Sequence, residues 1–416
     1  MRIAMVSEHA SPLALLGEED TGGQNVHVAE LARALGARGH EVTVHTRRSD
    51  PGAPATADFA PGVRVHHVDA GPPEPVGKDD LPRYMPEFAR HLADEWDRDR
   101  PDIVHAHYWM SGRAALDAAA ATGVPVVQTF HALGAEKRRH QGPEDTSPAE
   151  REDTEFDIAH QAALVIATSS EERRELRTWN VPGERIAVVP CAVDPERFRP
   201  EGPAAPRGER PRILCLGRLV PRKGMCTVIG ALAAVPEAEL VIAGGAPPER
   251  MDTDPQIGRL REAAEAAGVA ERVRFTGGVA RQDVPALLRS ADLAVNVPWY
   301  EPFGMSTVEA MACGVAVIAS HVGGHLDTVV QGVTGRLVPP REPRALAFWL
   351  RTLLADPVTR ESLGIAAADR AAVRYTWPLV ACQTEECYER VLRERGHEVP
   401  ALAGAPNATD TPTGGI

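Results

Sequence analysis

The chain has 416 residues, of which 43% are hydrophobic and 25% charged, and its formal net charge is -13. That length suits two domains of ordinary size, and the acidic balance argues against wholesale binding to nucleic acid or to an anionic membrane surface. No apolar run reaches the ~20 residues that a bilayer span needs, and the scattered cysteines form no Cys-x-x-Cys pair for zinc or a disulfide framework, so a cytoplasmic location is expected.

The first apolar run, Arg2 to Ser7, reads as a buried strand, too short for a secretory signal. A polar loop then ends in Asp20-Thr21-Gly22-Gly23-Gln24-Asn25. Val26, Val28, Leu31, Ala32 and Leu35 follow at helical spacing, stopped by Gly36 and Gly39. A Gly-Gly turn thus joins the first strand to the first helix. It either brings the backbone and free helix N–H groups close to an anionic ligand or simply packs a helix on a sheet. Strands are predicted at Glu41 to Thr46, Val63 to Val68, Ile103 to His107, Val124 to Thr129, Leu164 to Thr168 and Ile186 to Pro190. Helices are predicted between several of them. Gly71 to Pro82 reads as a long loop carrying Lys78. The polar, basic run Gly134 to Pro148, with Lys137, Arg138 and Arg139, reads as a solvated loop. His131 falls at a strand's carboxyl end, where a satisfied structural histidine is the plain alternative to a ligand-facing one.

Cys191 to Arg210 carries Pro195, Pro200, Pro203 and Pro206 amid Gly and charge. It reads as an interdomain linker. After it the β/α alternation restarts, which predicts two doubly wound α/β domains facing across a cleft. The divisions are 1–195 for the first domain, 196–210 for the linker and 211–377 for the second domain. A last helix, 378–395, is expected to pack back on the first domain, and 400–416 is expected to be a disordered tail.

Chemistry gathers at strand ends in the second half. Gly217-Arg218-Leu219-Val220-Pro221-Arg222-Lys223-Gly224 follows its first strand, so Arg218 and Lys223 are fixed cations beside a helix start, suited to a diphosphate. Further on, Glu301-Pro302-Phe303-Gly304-Met305-Ser306-Thr307-Val308-Glu309 sets two carboxylates about the mouth of a βα crossover. They can bracket the hydroxyls of one sugar. The plain alternative is a surface acid at Glu301 and a helix-dipole acid at Glu309. Together the cations and carboxylates describe a nucleotide-sugar pocket better than either does alone. A dinucleotide fold is disfavoured: no Gly-x-Gly-x-x-Gly follows a strand, and the second strand ends Thr46-Arg47 with no acid for a ribose. Asp252-Thr253-Asp254 spells an Asp-x-Asp, but between a strand end and a helix, so no metal is expected in catalysis.

Gly-Gly-Gln-Asn, Gly-Arg-Leu-x-x-x-Lys-Gly and Glu-Pro-Phe-Gly-x-x-x-x-Glu-Ala occur in this order across almost the whole chain. In this the sequence resembles the retaining glycosyltransferases of family 4, which have the GT-B fold. Its first half, with His9-x-Ser11-Pro12-Leu13 and His107-Tyr108-Trp109-x-Ser111-Gly112, is similar to the mycothiol-pathway branch, and Asp-Thr-Gly-Gly-Gln is shared with sucrose-phosphate synthase. The resemblance implies a transferase moving a hexose-type sugar from a nucleoside diphosphate, UDP ahead of GDP, to a small and anionic acceptor such as an inositol phosphate or a specialised-metabolite precursor. It implies donor contacts from Gly22, Gly23, Arg218, Lys223, Glu301, Phe303, Gly304, Met305, Ser306 and Glu309. His131, Arg218, Lys223 and Glu301 would serve catalysis, and Asn25, Lys78, Tyr108 and Arg151 would hold the acceptor. The sequence departs at Ala132, where the branch has a threonine. No metal or other cofactor, nucleic-acid partner or membrane partner is implied, and a homodimer is open. The competing expectations are a UDP-sugar epimerase of the same fold and a catalytically silent sugar-nucleotide-binding subunit.

Overall fold

The computed structural model describes residues 1–13, 22–142 and 145–396. Asp20, Thr21 and the tail 400–416 lie outside them. Fourteen short strands among these residues build two sheets. The first contains β1 (Arg2–Val6), β2 (Glu41–Arg47), β3 (Thr56–Ala60), β4 (Val63–Val68), β5 (Ile103–His107), β6 (Val126–Thr129), β7 (Leu164–Ala167) and β8 (Ile186–Val188). Their order is β3-β4-β2-β1-β5-β6-β7-β8. All neighbours are parallel except the β3–β4 edge hairpin. The second contains β9 (Arg212–Leu216), β10 (Glu239–Ala243), β11 (Val273–Gly277), β12 (Leu293–Asn296), β13 (Val317–Ser320) and β14 (Arg336–Val338). It is wholly parallel, ordered β11-β10-β9-β12-β13-β14.

The central strands are buried on both faces, which is why they read as continuous Val/Ile/Leu/Ala runs. In each sheet the order reverses beside the first strand, at β1/β5 and β9/β12. The carboxyl ends at such a reversal leave a crevice that helices on opposite faces cannot close. The two crevices face each other, and both sets of ligand-facing loops open there.

The chain crosses between the domains twice, and the two crossings run side by side. Val193 and Thr376 form a parallel bridge, and the Val193 N–H donates to the Tyr375 carbonyl at 2.9 Å. The last helix, Trp377–Glu394, then lies on the first domain, with Trp377, Val380, Ala381 and Tyr388 in one apolar cluster with Ile3, Met5, Val28 and Leu31. Glu385 on that helix accepts from Arg38 Nε at 2.7 Å.

Three segments differ from the sequence expectation. Gly134–Gln141 is a helix rather than a loop. It has no apolar stripe, and its order comes instead from Lys137–Asp145, Arg138–Glu152 and Arg139–Glu175 pairs at 2.7, 3.0 and 2.9 Å. Lys78–Tyr84 is tight helix that starts inside the expected loop and runs past its end at Pro82, and Thr56–Ala60 adds an unpredicted edge strand.

Candidate functional site

Between the domains lies a cavity of about 400 Å³ lined from both sides. On the first domain its wall starts at the helix Gly23–Ala37, capped by Gly22. A Cβ added to Gly23 would stand 3.6 Å from Met305 of the opposite domain. The two domains therefore approach closely where the first helix begins, and Gly22 to Val26 line the cavity. The Asn25 side chain is spent on local structure: its Oδ1 accepts from the Gly22 N–H at 3.1 Å and its amide donates to the Ser11 carbonyl at 3.2 Å. Asn25 thus lines the cavity while shaping the turn.

Two residues at strand ends hold left-handed backbone. Tyr108, after β5, has φ 82, and His131, after β6, has φ 63. Such conformations cost ~1–3 kcal/mol in side chains other than glycine, and they concentrate at working sites. His131 Nε2 lies 3.0 Å from His107 Nδ1, and His27 and His105 complete a buried histidine stack beneath it. Burial, with the neighbouring imidazoles, holds His131 well below its ordinary range. It therefore meets the cavity as a neutral ring. The stack ends outside the site, where His105 Nδ1 lies 2.7 Å from the Tyr388 hydroxyl on the last helix.

The second domain supplies charge. After β9 the chain turns through Gly217 to Arg218, then Arg222 and Lys223, and Gly224 starts the helix Met225–Leu232 with φ 75. A side chain at Gly224 would collide with the Val297 carbonyl, so the cation loop is pressed against the end of β12. Lys223 Nζ is ion-paired with Glu301. Burial alone would raise the Glu301 carboxyl, but Lys223, His325 and Arg222 outweigh it and hold Glu301 below the usual carboxylate range. Gly304 starts the helix Met305–Ala312 at φ 98, and a Cβ there would meet the His325 ring at 2.7 Å. His325 lies 3.0 Å from Thr307 Oγ1 and 3.1 Å from the Ser320 carbonyl, so it buttresses this loop from below. Burial moves it down to about 4. Glu309, one turn into the helix, is buried and paired with Arg281 at 2.5 Å. Burial raises its pKa against the opposing pull of Arg281.

A second cavity of about 380 Å³ adjoins the first, sharing Lys78, Tyr108, Ala132, Arg218, Arg222 and Pro302. Lys78 Nζ stands 3.9 Å and Arg151 Cζ 5.1 Å from the Tyr108 ring centre, so two cations flank one aromatic face set. Arg151 is buried, with Nε donating to Glu155 at 2.7 Å and Nη2 to the Ala132 carbonyl at 2.6 Å. Lys137, from the helix expected to be a solvated loop, also lines this cavity.

The structure thus gathers Gly22, Gly23, His131, Arg218, Lys223, Glu301, Phe303, Gly304, Met305, Ser306 and Glu309 around one cavity. Lys78 and Tyr108 border both cavities, and Arg151 lines the second only. Sequence reasoning missed Arg281, Arg222 as a wall residue, and the His9–Glu8 pair at 2.5 Å beside the Gly-Gly turn. Glu8 carried one faint signal, an acid directly after a buried strand. The Asp252-Thr253-Asp254 run stays outside. Asp254 caps the helix Pro255–Ala266, accepting from the Gln256 N–H at 2.8 Å and the Ala246 N–H at 3.0 Å, while Asp252 pairs with Arg261.

Two family models match the chain: Glycosyltransferase Family 4 over residues 21–197 and Glycosyl transferases group 1 over residues 201–370. The chain is 37% identical over 413 residues to the D-inositol 3-phosphate glycosyltransferase of Jonesia denitrificans, with 94% of this chain and 96% of that protein covered. It is also 37% identical over 411 residues to the protein of that name from Streptomyces bingchenggensis, covering 94% of this chain and 90% of the relative. Among solved structures it is similar to sucrose-phosphate synthase from Thermosynechococcus elongatus, with a TM-score of 0.86 and 31% identity over 94% of this chain and 99% of that one.

Proposed function

The chain belongs to the glycosyltransferases that join a Family 4 domain to a group 1 domain in the GT-B fold, and on that premise we propose that it moves a hexose-type sugar, with retention of anomeric configuration, from a nucleoside diphosphate to a small anionic acceptor. The observation that carries this reading is the meeting, in one cavity, of the Arg218–Lys223 cation loop with Glu301 and Glu309. Cations suit a diphosphate, and acceptor oxygens suit hydroxyl hydrogens. In this account Arg218 and Lys223 stabilise the charge that builds on the leaving diphosphate. Glu301 grips the transferred sugar, with the Phe303–Gly304 backbone and Met305 and Ser306 beside it. Glu309 grips the ribose. The Gly23 backbone approaches the phosphates, and neutral His131 orients a sugar hydroxyl near the anomeric carbon.

Binding of the donor would exchange partners. The diphosphate takes Lys223 and a hydroxyl takes Glu301, so the ion pair between them opens as the ligand fills the cavity. No divalent metal takes part, and the leaving diphosphate receives the acceptor's proton on the face it departs from. UDP is the donor nucleotide we favour.

Lys78, Tyr108, Arg151 and Lys137 around the adjoining cavity suit a phosphate and support seating the acceptor there. The relatives named for D-inositol 3-phosphate make inositol phosphate the first acceptor to test. Ala132 offers no hydroxyl to that site, so other phosphorylated polyols belong in the same panel. A UDP-sugar epimerase would have no use for this second cavity. Mass spectrometry of products from a donor and acceptor panel tests the reading.

A further inference from the structure

Away from the cleft, a cavity of about 390 Å³ opens on the face of the first sheet that the helix Met85–Arg98 covers. It is polar, with Arg2, Asp58, Arg64 and Asp99 in its lining. Nothing in the transfer reaction uses it. Three of its side chains, His45, His66 and Glu95, bring ligand atoms within 4.8 Å of one another.

Their convergence follows from the fold. The parallel register sets His45 of β2 beside His66 of β4. Val42, Val44, Val63 and Val65 face the other side of the sheet, in the cluster under the last helix. The two imidazoles therefore leave the sheet together, toward the helix whose last turns carry Glu95 and Trp96.

The geometry is poorly explained by hydrogen bonding alone. His66 Nδ1 stands 2.6 Å from Glu95 Oε2, an ordinary ion-pair contact. His45 Nδ1 stands 3.6 Å from the same oxygen, beyond hydrogen-bond reach. The His45 side chain is 2% exposed, and among the described residues its Nδ1 has no hydrogen-bond partner. Two ligands on a tetrahedral ion with bonds of ~2.0–2.1 Å stand ~3.4 Å apart. The His45–Glu95 gap of 3.6 Å is close to that separation, and His66 and Glu95, now 2.6 Å apart, would part by ~0.8 Å to share the ion. The indole N–H of Trp96, which lines the same cavity, is a further buried polar group without a partner among the described residues.

We propose that His45, His66 and Glu95 bind a divalent transition-metal cation of the zinc class, with water from the cavity completing a tetrahedral site. Two imidazoles and one carboxylate are a borderline-soft donor set that suits this class over magnesium or calcium. The ion fastens β2 and β4 to the helix Met85–Arg98. Binding opens the contact between His66 and Glu95, since each then gives a lone pair to the ion. The site is structural, and sugar transfer does not pass through it.

The test uses the full chain, stripped with a chelator and dialysed against Zn²⁺, with bound metal counted by elemental mass spectrometry and Co²⁺ as a visible-absorbing probe. The wild type is expected to bind one equivalent and to give the intense absorption of tetrahedral cobalt. In His66→Ala and Glu95→Gln, both partly exposed positions, affinity should fall at least ~100-fold and that absorption should vanish. His45→Asn should do the same if it folds. Glycosyl transfer by His66→Ala should stay within about twofold of wild type, since the site is apart from the cleft. Absence of stoichiometric binding, or equal binding and equal cobalt spectra in wild type and His66→Ala, overturns the proposal.

Discussion

Lys223 and Glu301 form an ion pair at the mouth of the second sheet, joining the cation loop to the Glu301–Gly304 loop 78 residues further along the chain. Both side chains are largely buried, at 15% and 10% exposure. A buried pair that loses one partner leaves an uncompensated charge costing ~3–5 kcal/mol. Truncating either residue therefore mixes folding with function, and a cleaner probe is the neighbouring cation.

Arg218→Ala is expected to lower kcat by ~10²–10³-fold, the typical effect of removing one group aimed at developing charge. The donor KM should change much less. Steady-state kinetics with varied donor check this, and an effect confined to KM would remove Arg218 from leaving-group stabilisation. Glu301→Gln keeps the shape while losing the charge proposed to grip the sugar, and, measured on protein shown to be folded, it too should cut turnover. Near-normal turnover contradicts its assignment.

Glu309 waits in a pair with Arg281, whose guanidinium also lies 4.5 Å from the Phe198 ring centre. Glu309→Gln should weaken UDP binding by about tenfold, or ~1.4 kcal/mol. Calorimetry with UDP reads this directly. The loss should disappear when the ligand lacks its ribose hydroxyls, and an equal loss with that ligand contradicts the ribose role.

Lys78 stands over the Tyr108 ring at 3.9 Å, on the border of the second cavity. Lys78→Met should raise KM for a phosphorylated acceptor at least ~10-fold, the value of one charge-assisted contact, and leave donor KM within about twofold. Equal changes in both constants would place Lys78 at the donor instead.

The histidine stack predicts acid sensitivity. Burial holds His27 at about 4 and His105 at about 3. Above the ordinary histidine value of ~6.5 both folded and unfolded forms are neutral, and the stack costs nothing in pH terms. As pH falls from there toward about 4, the unfolded chain takes protons that the fold refuses. Stability then drops by ~1.4 kcal/mol per pH unit for each such histidine. His27→Phe keeps a ring against Trp377 and His131 while removing one titrating group. Its denaturation free energy should fall less steeply with acid, by about that slope. An unchanged slope contradicts the buried neutral state of His27.

Gly224 and Gly304 allow the two second-domain cavity loops their close packing. At Gly224, φ is 75 and a Cβ would stand 2.1 Å from the Val297 carbonyl oxygen, which is backbone that cannot swing away. Gly224→Ala should destabilise the protein by at least ~1–3 kcal/mol and weaken donor binding with it. Thermal melts with and without UDP check both, and a variant as stable and as UDP-responsive as wild type contradicts the packing argument.

The parts legible in the sequence were those whose signal is local. Strand runs such as Glu239 to Ala243 are buried on both faces, and the linker shows as clustered proline between two βα series. Glu301 and Glu309 share one loop and one helix, so their relation survives in the linear chain. Arg281 reaches Glu309 only through folding, from the segment after β11, and no periodicity marks it. The histidine stack draws on a helix, a strand and a strand end, at His27, His105, His107 and His131, and shows only as separate residues along the chain. The helix at Gly134–Gln141 was hidden for another reason: it is ordered by ion pairs, while helix reading depends on an apolar stripe.

The central claim is that the paired cations and carboxylates of the second domain hold a nucleotide sugar whose glycosyl group goes to an acceptor seated near Lys78 and Arg151. Incubation of the protein with a UDP-sugar panel and inositol phosphate or other phosphorylated polyols, followed by mass spectrometry and proton NMR, tests it most directly. The account predicts release of the nucleoside diphosphate and an acceptor heavier by one hexose-type unit, with the donor's anomeric configuration kept. An epimerised nucleotide sugar formed from donor alone, or a product of inverted configuration, contradicts it.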